Sequence, residues 1–234
     1  MKISMKKRKI GYTYNSVSGR FPFRGSKTIE FESKLEEDLL TVLEFNDSVF
    51  DVTEQPFTIE YTNQRGKKAT YTPDFLVDFK IFGSGTRYIS HDREVLYPKP
   101  LIIEVKPRDV LKKKFVALRP KFKAAMAYAA ANDMVFKIFD ESRIYGPYYD
   151  NVRFLRRYKR YRYDEIEEER LTGMLNVVGH CTIDVLLASL YVTEEQIGIG
   201  LGHIYHLLAT KKIACDMTLP IRRDTVIWSN TQAG

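Results

Sequence analysis

Tyr71-Thr72-Pro73-Asp74-Phe75, followed after an interval by Leu101-Ile102-Ile103-Glu104-Val105-Lys106, is the stretch on which the fold turns. It reads as Pro-Asp, a long gap, and Glu-Val-Lys closing an apolar run. Strand side chains alternate between faces, so Glu104 and Lys106 point to one side and Val105 into the opposite layer. If the strand carrying Asp74 lies alongside, two carboxylates and an ammonium converge. Two hard oxygen ligands with room for water suit Mg²⁺ or Mn²⁺, whose shell solvent and a phosphate complete. An ion held there lowers the pKa of a bound water and neutralises charge developing on the phosphate, while Lys106 holds that water or stabilises the transition state. Either half alone is weak, since a Pro-Asp turn is common and Glu-x-Lys is often a surface ion pair. Together they are stronger, because Glu104 directly follows three apolar residues, where a lone carboxylate is costly without a metal or the lysine.

Upstream, Ser33 can cap a helix in which Leu35, Leu39 and Val42 form an apolar stripe. Glu36, Glu37 and Asp38 follow in its first turn, and spacing does not choose which acid joins the site. Phe57, Ile59 and Tyr61 alternate with polar residues, a turn lies at Gly66, and the segment from Tyr71 to Lys80 alternates again, which predicts one hairpin. Residues 83–100, with two glycines and two prolines, look like an irregular insertion. Leu101-Ile102-Ile103 then reads as a buried strand. Beyond it, Leu111, Phe115, Leu118, Phe122, Ala125, Met126 and Ala129 give one or two helices, with Pro120 marking a break or a fresh start. Val135, Phe136, Ile138 and Phe139 form a further strand. The class is therefore α/β, a mixed sheet flanked by helices.

The composition turns acidic around residues 164–170, which places the domain boundary near residue 165. The two domains expected are 1–165, catalytic, and 166–234, small and mostly helical. In the second, Thr182 can cap a helix through Leu190, Thr193 and Gln196 have capping-box spacing for another, and a strand pair follows between Ile213 and Trp228. That order suggests a winged helix. Cys181 and Cys215 read as free core thiols of a reducing cytoplasm, and His203 and His206, three apart without a Cys-x-x-Cys, as packing residues rather than zinc ligands.

The net charge of +7 over 234 residues favours a polyanionic partner. Cations cluster at Lys6, Lys7, Arg8 and Lys9, at Lys112, Lys113 and Lys114, and at Arg153, Arg156, Arg157, Lys159, Arg160 and Arg162, the last set interleaved with aromatic rings. Lys112, Lys113, Lys114, Arg156, Arg157 and Arg160 are the DNA-binding candidates, with a solvated helix or linker face the competing reading. No apolar run approaches the ~20 residues that span a bilayer, and no secretory signal follows the basic first residues.

These phrases resemble the PD-(D/E)xK nucleases, and within them the TnsA endonuclease subunit of heteromeric transposases. Beyond Pro73-Asp74 and Glu104-Val105-Lys106, the likeness is carried by Phe31-Glu32-Ser33-Lys34-Leu35-Glu36, Leu43-Glu44-Phe45, Glu54-Gln55-Pro56 and the continuation through Val77-Asp78 and Pro107. It implies a restriction-endonuclease-like core and a winged-helix second domain. It selects Glu36 as the third acid, giving a catalytic set of Glu36, Asp74, Glu104 and Lys106, with Mg²⁺ or Mn²⁺ on the carboxylates. Glutamine fills the Glu104 position in some relatives. The resemblance also implies cut-and-paste transposition, this subunit cutting the 5′ strands at the element's ends beside a TnsB-like transposase and a TnsC-like ATPase. The alternatives are a stand-alone restriction or junction endonuclease, and a DNA-binding assembly module without catalysis.

Overall fold

The structure is a computed structural model that describes residues 17–80 and 99–230. The basic cluster at Lys6, Lys7, Arg8 and Lys9 and nearly all of the insertion expected at 83–100 lie outside the described residues. The chain divides into two compact units, Met1–Ile144 and Tyr145–Gly234.

The first unit is built on a four-stranded mixed sheet of β3 (Val49–Glu54), β6 (Phe75–Phe79), β7 (Leu101–Val105) and β8 (Val135–Phe139), in the order β3-β6-β7-β8. Two further strand pairs stand apart from it, β1 (Gly19–Phe23) with β2 (Lys27–Phe31), and β4 (Ile59–Thr62) with β5 (Lys68–Tyr71). The β3/β6 and β6/β7 pairs are antiparallel and β7/β8 is parallel. A parallel pair needs a long crossover, and the helix α2 (Arg108–Ala131) provides it. Val52, Val77, Ile102 and Ile103 are completely buried in the sheet. The helix α1 (Lys34–Phe45) starts at Ser33, whose hydroxyl accepts from the Glu36 amide, and it buries Leu35, Leu39, Leu40 and Leu43. The short helix α3 (Glu141–Ile144) ends the unit.

Two expectations change here. The predicted single hairpin is two separate strands after Gly66: β5 pairs with β4, whereas β6 joins the main sheet. Pro73, lacking an N–H, interrupts the alternation between them. The expected break at Pro120 is also absent, and α2 runs unbroken through it. Proline removes the donor that the carbonyl four residues earlier would use, which is that of Val116. The Gln64 side chain, from the β4–β5 turn, donates to the Val116 carbonyl instead. One side chain thus repairs the helix and pins the hairpin to it.

The second unit comprises α4 (Pro147–Arg156), a 3-10 turn (Tyr158–Arg160), α5 (Glu165–Val178), β9 (His180–Thr182), α6 (Ile183–Leu190), α7 (Glu194–Ala209), β10 (Ile213–Cys215) and β11 (Val226–Ser229). Its strands form an antiparallel sheet in the order β10-β11-β9. Thr182 caps α6, and Thr193 with Gln196 forms the expected capping box of α7. Leu171, Leu175, Ile183, Leu187, Ile204 and Leu207 are fully buried, each contributing roughly 1.5–3 kcal/mol through the apolar area it removes from water. The division falls some twenty residues before the acidic stretch, because α4 and the 3-10 turn pack on α7: Phe154 and Tyr158 meet Tyr205 at 4.8 and 5.1 Å between ring centroids. The acidic stretch is the first turn of α5, where Glu165, Glu167 and Glu168 sit and favour the helix dipole. No helix among the described residues is long and apolar enough to cross a membrane.

Candidate active site

Asp74 and Glu104 are brought together by strand pairing alone. Phe75 stands opposite Ile103 across β6 and β7, and the Asp74 amide donates to the Ile103 carbonyl at 3.1 Å. The Asp74 carboxylate then reaches past the strand end and accepts from the Val105 amide at 2.6 Å. The Asp74 carbonyl accepts from Gln55 at 2.9 Å, and the Lys106 amide donates to Phe139 at 3.0 Å. Backbone bonds on both sides therefore fix the two strand ends that carry the acids.

Glu104 is 1% exposed, and each of its oxygens has a partner. Its Oε2 accepts from the Tyr71 hydroxyl at 2.6 Å, and its Oε1 from Lys121 at 2.7 Å. Lys106 Nζ lies 3.2 Å from the same Oε1 and 3.9 Å from Asp74 Oδ2. A lysine thus bridges the two carboxylates, as expected from the alternation on β7. Burial, and then the charge of Glu104, push the Asp74 carboxyl up to about 8 although Lys106 opposes them. Burial works against the Lys106 ammonium, but Asp74 and Glu104 outweigh it and raise its pKa. The Tyr71 hydroxyl is likewise raised by burial and by Glu104, so it stays a donor.

Glu36 is buried at the start of α1, where its oxygens accept from the Glu32 amide at 2.7 Å and the Ser33 hydroxyl at 2.8 Å. With the Ser33 hydroxyl also accepting from the Glu36 amide, these bonds tie the chain entering α1 to its first turn. Burial raises its pKa despite them, and its charge acts on both Asp74 and Lys106. Glu36 therefore belongs to the same electrostatic cluster while holding the helix start. Asp38, also buried, pairs with Lys34 at 2.9 Å, and Glu37 with the same lysine at 3.0 Å.

Tyr71 and Lys121 are the members that the sequence did not reveal. Lys121 shares the inward face of α2 with buried Phe122 and Ala125, and its ammonium stands 4.7 Å over the Tyr71 ring. A lysine between Leu118 and Ala125 at helical spacing was the available signal, concealed by the presumed break at Pro120.

Among the described residues, no three carboxylate, imidazole or thiol groups could by themselves hold a metal ion. Asp74 and Glu104 nevertheless fit a divalent cation of the Mg²⁺ kind, which keeps much of its shell as water and phosphate. A cation there would offset what raises the Asp74 carboxyl, burial first and then the charge of Glu104.

Of the DNA-binding candidates, Lys112, Lys113 and Lys114 are exposed on α2 in the first unit. Arg157 and Arg160 are exposed and Arg156 half-buried in the second, where Arg157 covers Phe154 at 4.5 Å. Cys181 and Cys215 are free thiols. Buried His203 packs edge-on against Tyr163, and His206 stacks on the same ring and bonds Glu168. Burial opposes the charge of Glu168, but bonds from Lys212 and His206 outweigh it and hold the carboxyl below its usual range.

Two family models match the chain. The one described as TnsA-like endonuclease N terminal covers residues 46–141, and TnsA endonuclease C terminal covers 144–217. Asp74, Glu104, Lys106 and Lys121 fall inside the first match and Glu36 precedes it. No individual curated protein matches the chain.

Proposed function

This chain belongs to the TnsA endonucleases, and we propose that it cuts the 5′ strands at transposon ends during cut-and-paste transposition, with Mg²⁺, or Mn²⁺ in its place, held by Asp74 and Glu104. The observation that carries the reading is the meeting of Asp74, Glu104 and Lys106 at the paired ends of β6 and β7, with Lys106 within 4 Å of both acids. A divalent ion bound there supplies a water of lowered pKa and positive charge at the phosphate. Lys106 and Asp74, 27% and 22% exposed, are able to reach a substrate, and Lys106 orients the attacking water or a phosphate oxygen. Tyr71 and Lys121 keep Glu104 in place, and Glu36 closes the cluster while anchoring α1.

The second unit reads as a winged helix, on its order of helix, strand, two helices and two strands and its three-stranded antiparallel sheet. The helix that such a module lays in the major groove is the third, which here is α7. Its first turn exposes Glu194 and Glu195, followed by Gly198 and Ile199, an acidic and apolar face that suits a protein better than a phosphate backbone. We therefore assign the choice of DNA site to partners, a TnsB-like transposase and a TnsC-like ATPase.

The test is nicking of a labelled transposon-end substrate with those partners, in Mg²⁺ and in chelator, with each strand mapped. The parent should cut the 5′ strand only with metal, and Asp74→Ala should cut at least about a hundredfold more slowly. Equal cutting by the two proteins would remove the site from the reaction. Efficient cutting of plain duplex without partners would favour a stand-alone endonuclease.

A further inference from the structure

An open groove of about 620 Å³ lies between the β4–β5 hairpin and α2, walled by Tyr61 and Thr62 on one side and by Phe115, Arg119 and Lys123 on the other. Phe115 is 51% exposed and its neighbour Val116 71%, an unusual outlay of apolar surface on a helix that is otherwise lysine-rich there. No acidic side chain is among the described residues that line it. Exposed Arg65, Lys67 and Lys68 at the hairpin turn, and Lys112, Lys113 and Lys114 on α2, extend the positive charge beyond its ends.

The groove and the active site draw residues from the same elements, the β4–β5 hairpin and α2. Tyr71, whose hydroxyl holds Glu104, lies on β5 opposite Ile59, and Tyr61 is two residues further along β4, or about 7 Å at the rise of a strand. Lys121, the other holder of Glu104, follows Pro120 and precedes Lys123 on α2. A strand leaving the site along this hairpin therefore runs toward the groove.

We propose that this groove binds an unpaired DNA strand next to the scissile phosphate, with Tyr61 and Phe115 stacking on bases and Arg119 and Lys123 meeting phosphates. A ring open to solvent beside cations is the means by which proteins hold single strands without reading sequence; Phe115 is that ring here, and Tyr61, half-buried against Ile59 and Tyr71, offers what remains of its own. Phosphate attraction alone would suit a duplex equally, but paired bases present no face to a ring. Hairpin and helix also touch directly, since Gln64 donates from the hairpin to the Val116 carbonyl. The proposal rests on the nuclease reading above.

The experiment measures fluorescence anisotropy of a labelled ten-nucleotide oligothymidylate and of a duplex of equal length, with full-length protein in Ca²⁺. Phe115→Ala and Arg119→Ala should each weaken oligothymidylate binding about fivefold or more, while Phe115→Ala changes duplex binding less than twofold. Phe115 is half exposed, so its variant should keep the parent's circular dichroism and Tm. Photocrosslinking of a 5-iodouracil oligonucleotide should label Tyr61 or Phe115. Unchanged oligothymidylate affinity in Phe115→Ala, equal losses for strand and duplex, or no strand binding by the parent would each overturn the proposal. Asp74→Ala separates the two readings: if it fails to nick while Phe115→Ala binds strand normally, the groove assignment falls and the nuclease stands. If Asp74→Ala nicks as the parent does, the nuclease reading fails first.

Discussion

Asp74 has a charge state that is tied to the stability of the protein without metal. Its folded carboxyl keeps a proton up to about pH 8, against an ordinary value of 3.8. Between those values the folded state binds more protons than the unfolded one, so stability falls as pH rises through that window. Asp74→Asn removes its share of the dependence and leaves that of Glu36, whose pKa burial also raises. In chelator its Tm should be flatter from pH 5 to 8 and higher than the parent's at pH 8 by roughly 3 °C or more. A lower Tm at pH 8, read by circular dichroism, would contradict this account. Lys121 makes the complementary case, since its ammonium lies 2.7 Å from a glutamate that is 1% exposed. Lys121→Met leaves that carboxylate short of a partner and should cost about 1–3 kcal/mol in urea melts. Saturating Ca²⁺ should recover much of it, because an ion on Glu104 replaces the missing charge. An equal loss with and without Ca²⁺ would make Lys121 a packing residue. Asp74, Glu104 and Lys106 were legible as a group because strand alternation fixes their direction. Tyr71 and Lys121 come from a second strand pair and a helix, and no local spacing ties them to Glu104.

At the scale of elements, α2 shows how one residue type can mislead. Proline inside a helix usually costs about 3 kcal/mol through its lost donor and its ring, which argued for a break. The Gln64 side chain supplies the donor from 52 positions away in sequence. A double-mutant cycle checks this: Gln64→Ala should cost about 1 kcal/mol in the parent. It should cost nearly nothing once Pro120→Ala has restored the backbone N–H. Equal costs in both backgrounds, by denaturant melts, would show that the bond does not serve the helix. The misread hairpin has the same origin, since alternation from Tyr71 to Lys80 does not reveal which partner each half takes. No sequence expectation covered β1 and β2, although Phe21, Phe23, Ile29 and Phe31 bury one face of that hairpin. Arg24, at its turn with φ +49, donates to the carbonyls of Glu44 and Asn46 at the end of α1 and of Val49 at the start of β3. Such long-range bonds hold a conformation that residue type alone disfavours.

For the whole molecule, the division after Ile144 predicts how the chain can be cut. A fragment of residues 145–234 keeps α4, whose Asn151 is 5% exposed and donates to Met217 and Leu219 while accepting from Ile221. A fragment of residues 166–234 loses those bonds and the ring cluster on Tyr205, exposing the apolar face of α7. The longer fragment should unfold cooperatively, and the shorter should melt at least 10 °C lower or lack a sharp transition. Indistinguishable melts would return the boundary to the acidic stretch.

The sequence by itself determined the α/β class, the caps of α1, α6 and α7, and the strand ends carrying Asp74, Glu104 and Lys106. All of these depend on interactions within a few residues or on the period of an element. Tertiary structure alone decided that β5 and β6 part company, that α2 survives Pro120, that Tyr71 and Lys121 hold Glu104, and that α4 belongs to the second unit. Each of those rests on a hydrogen bond or ring contact between positions distant along the chain, and the order of residues carries no local trace of which distant group will arrive.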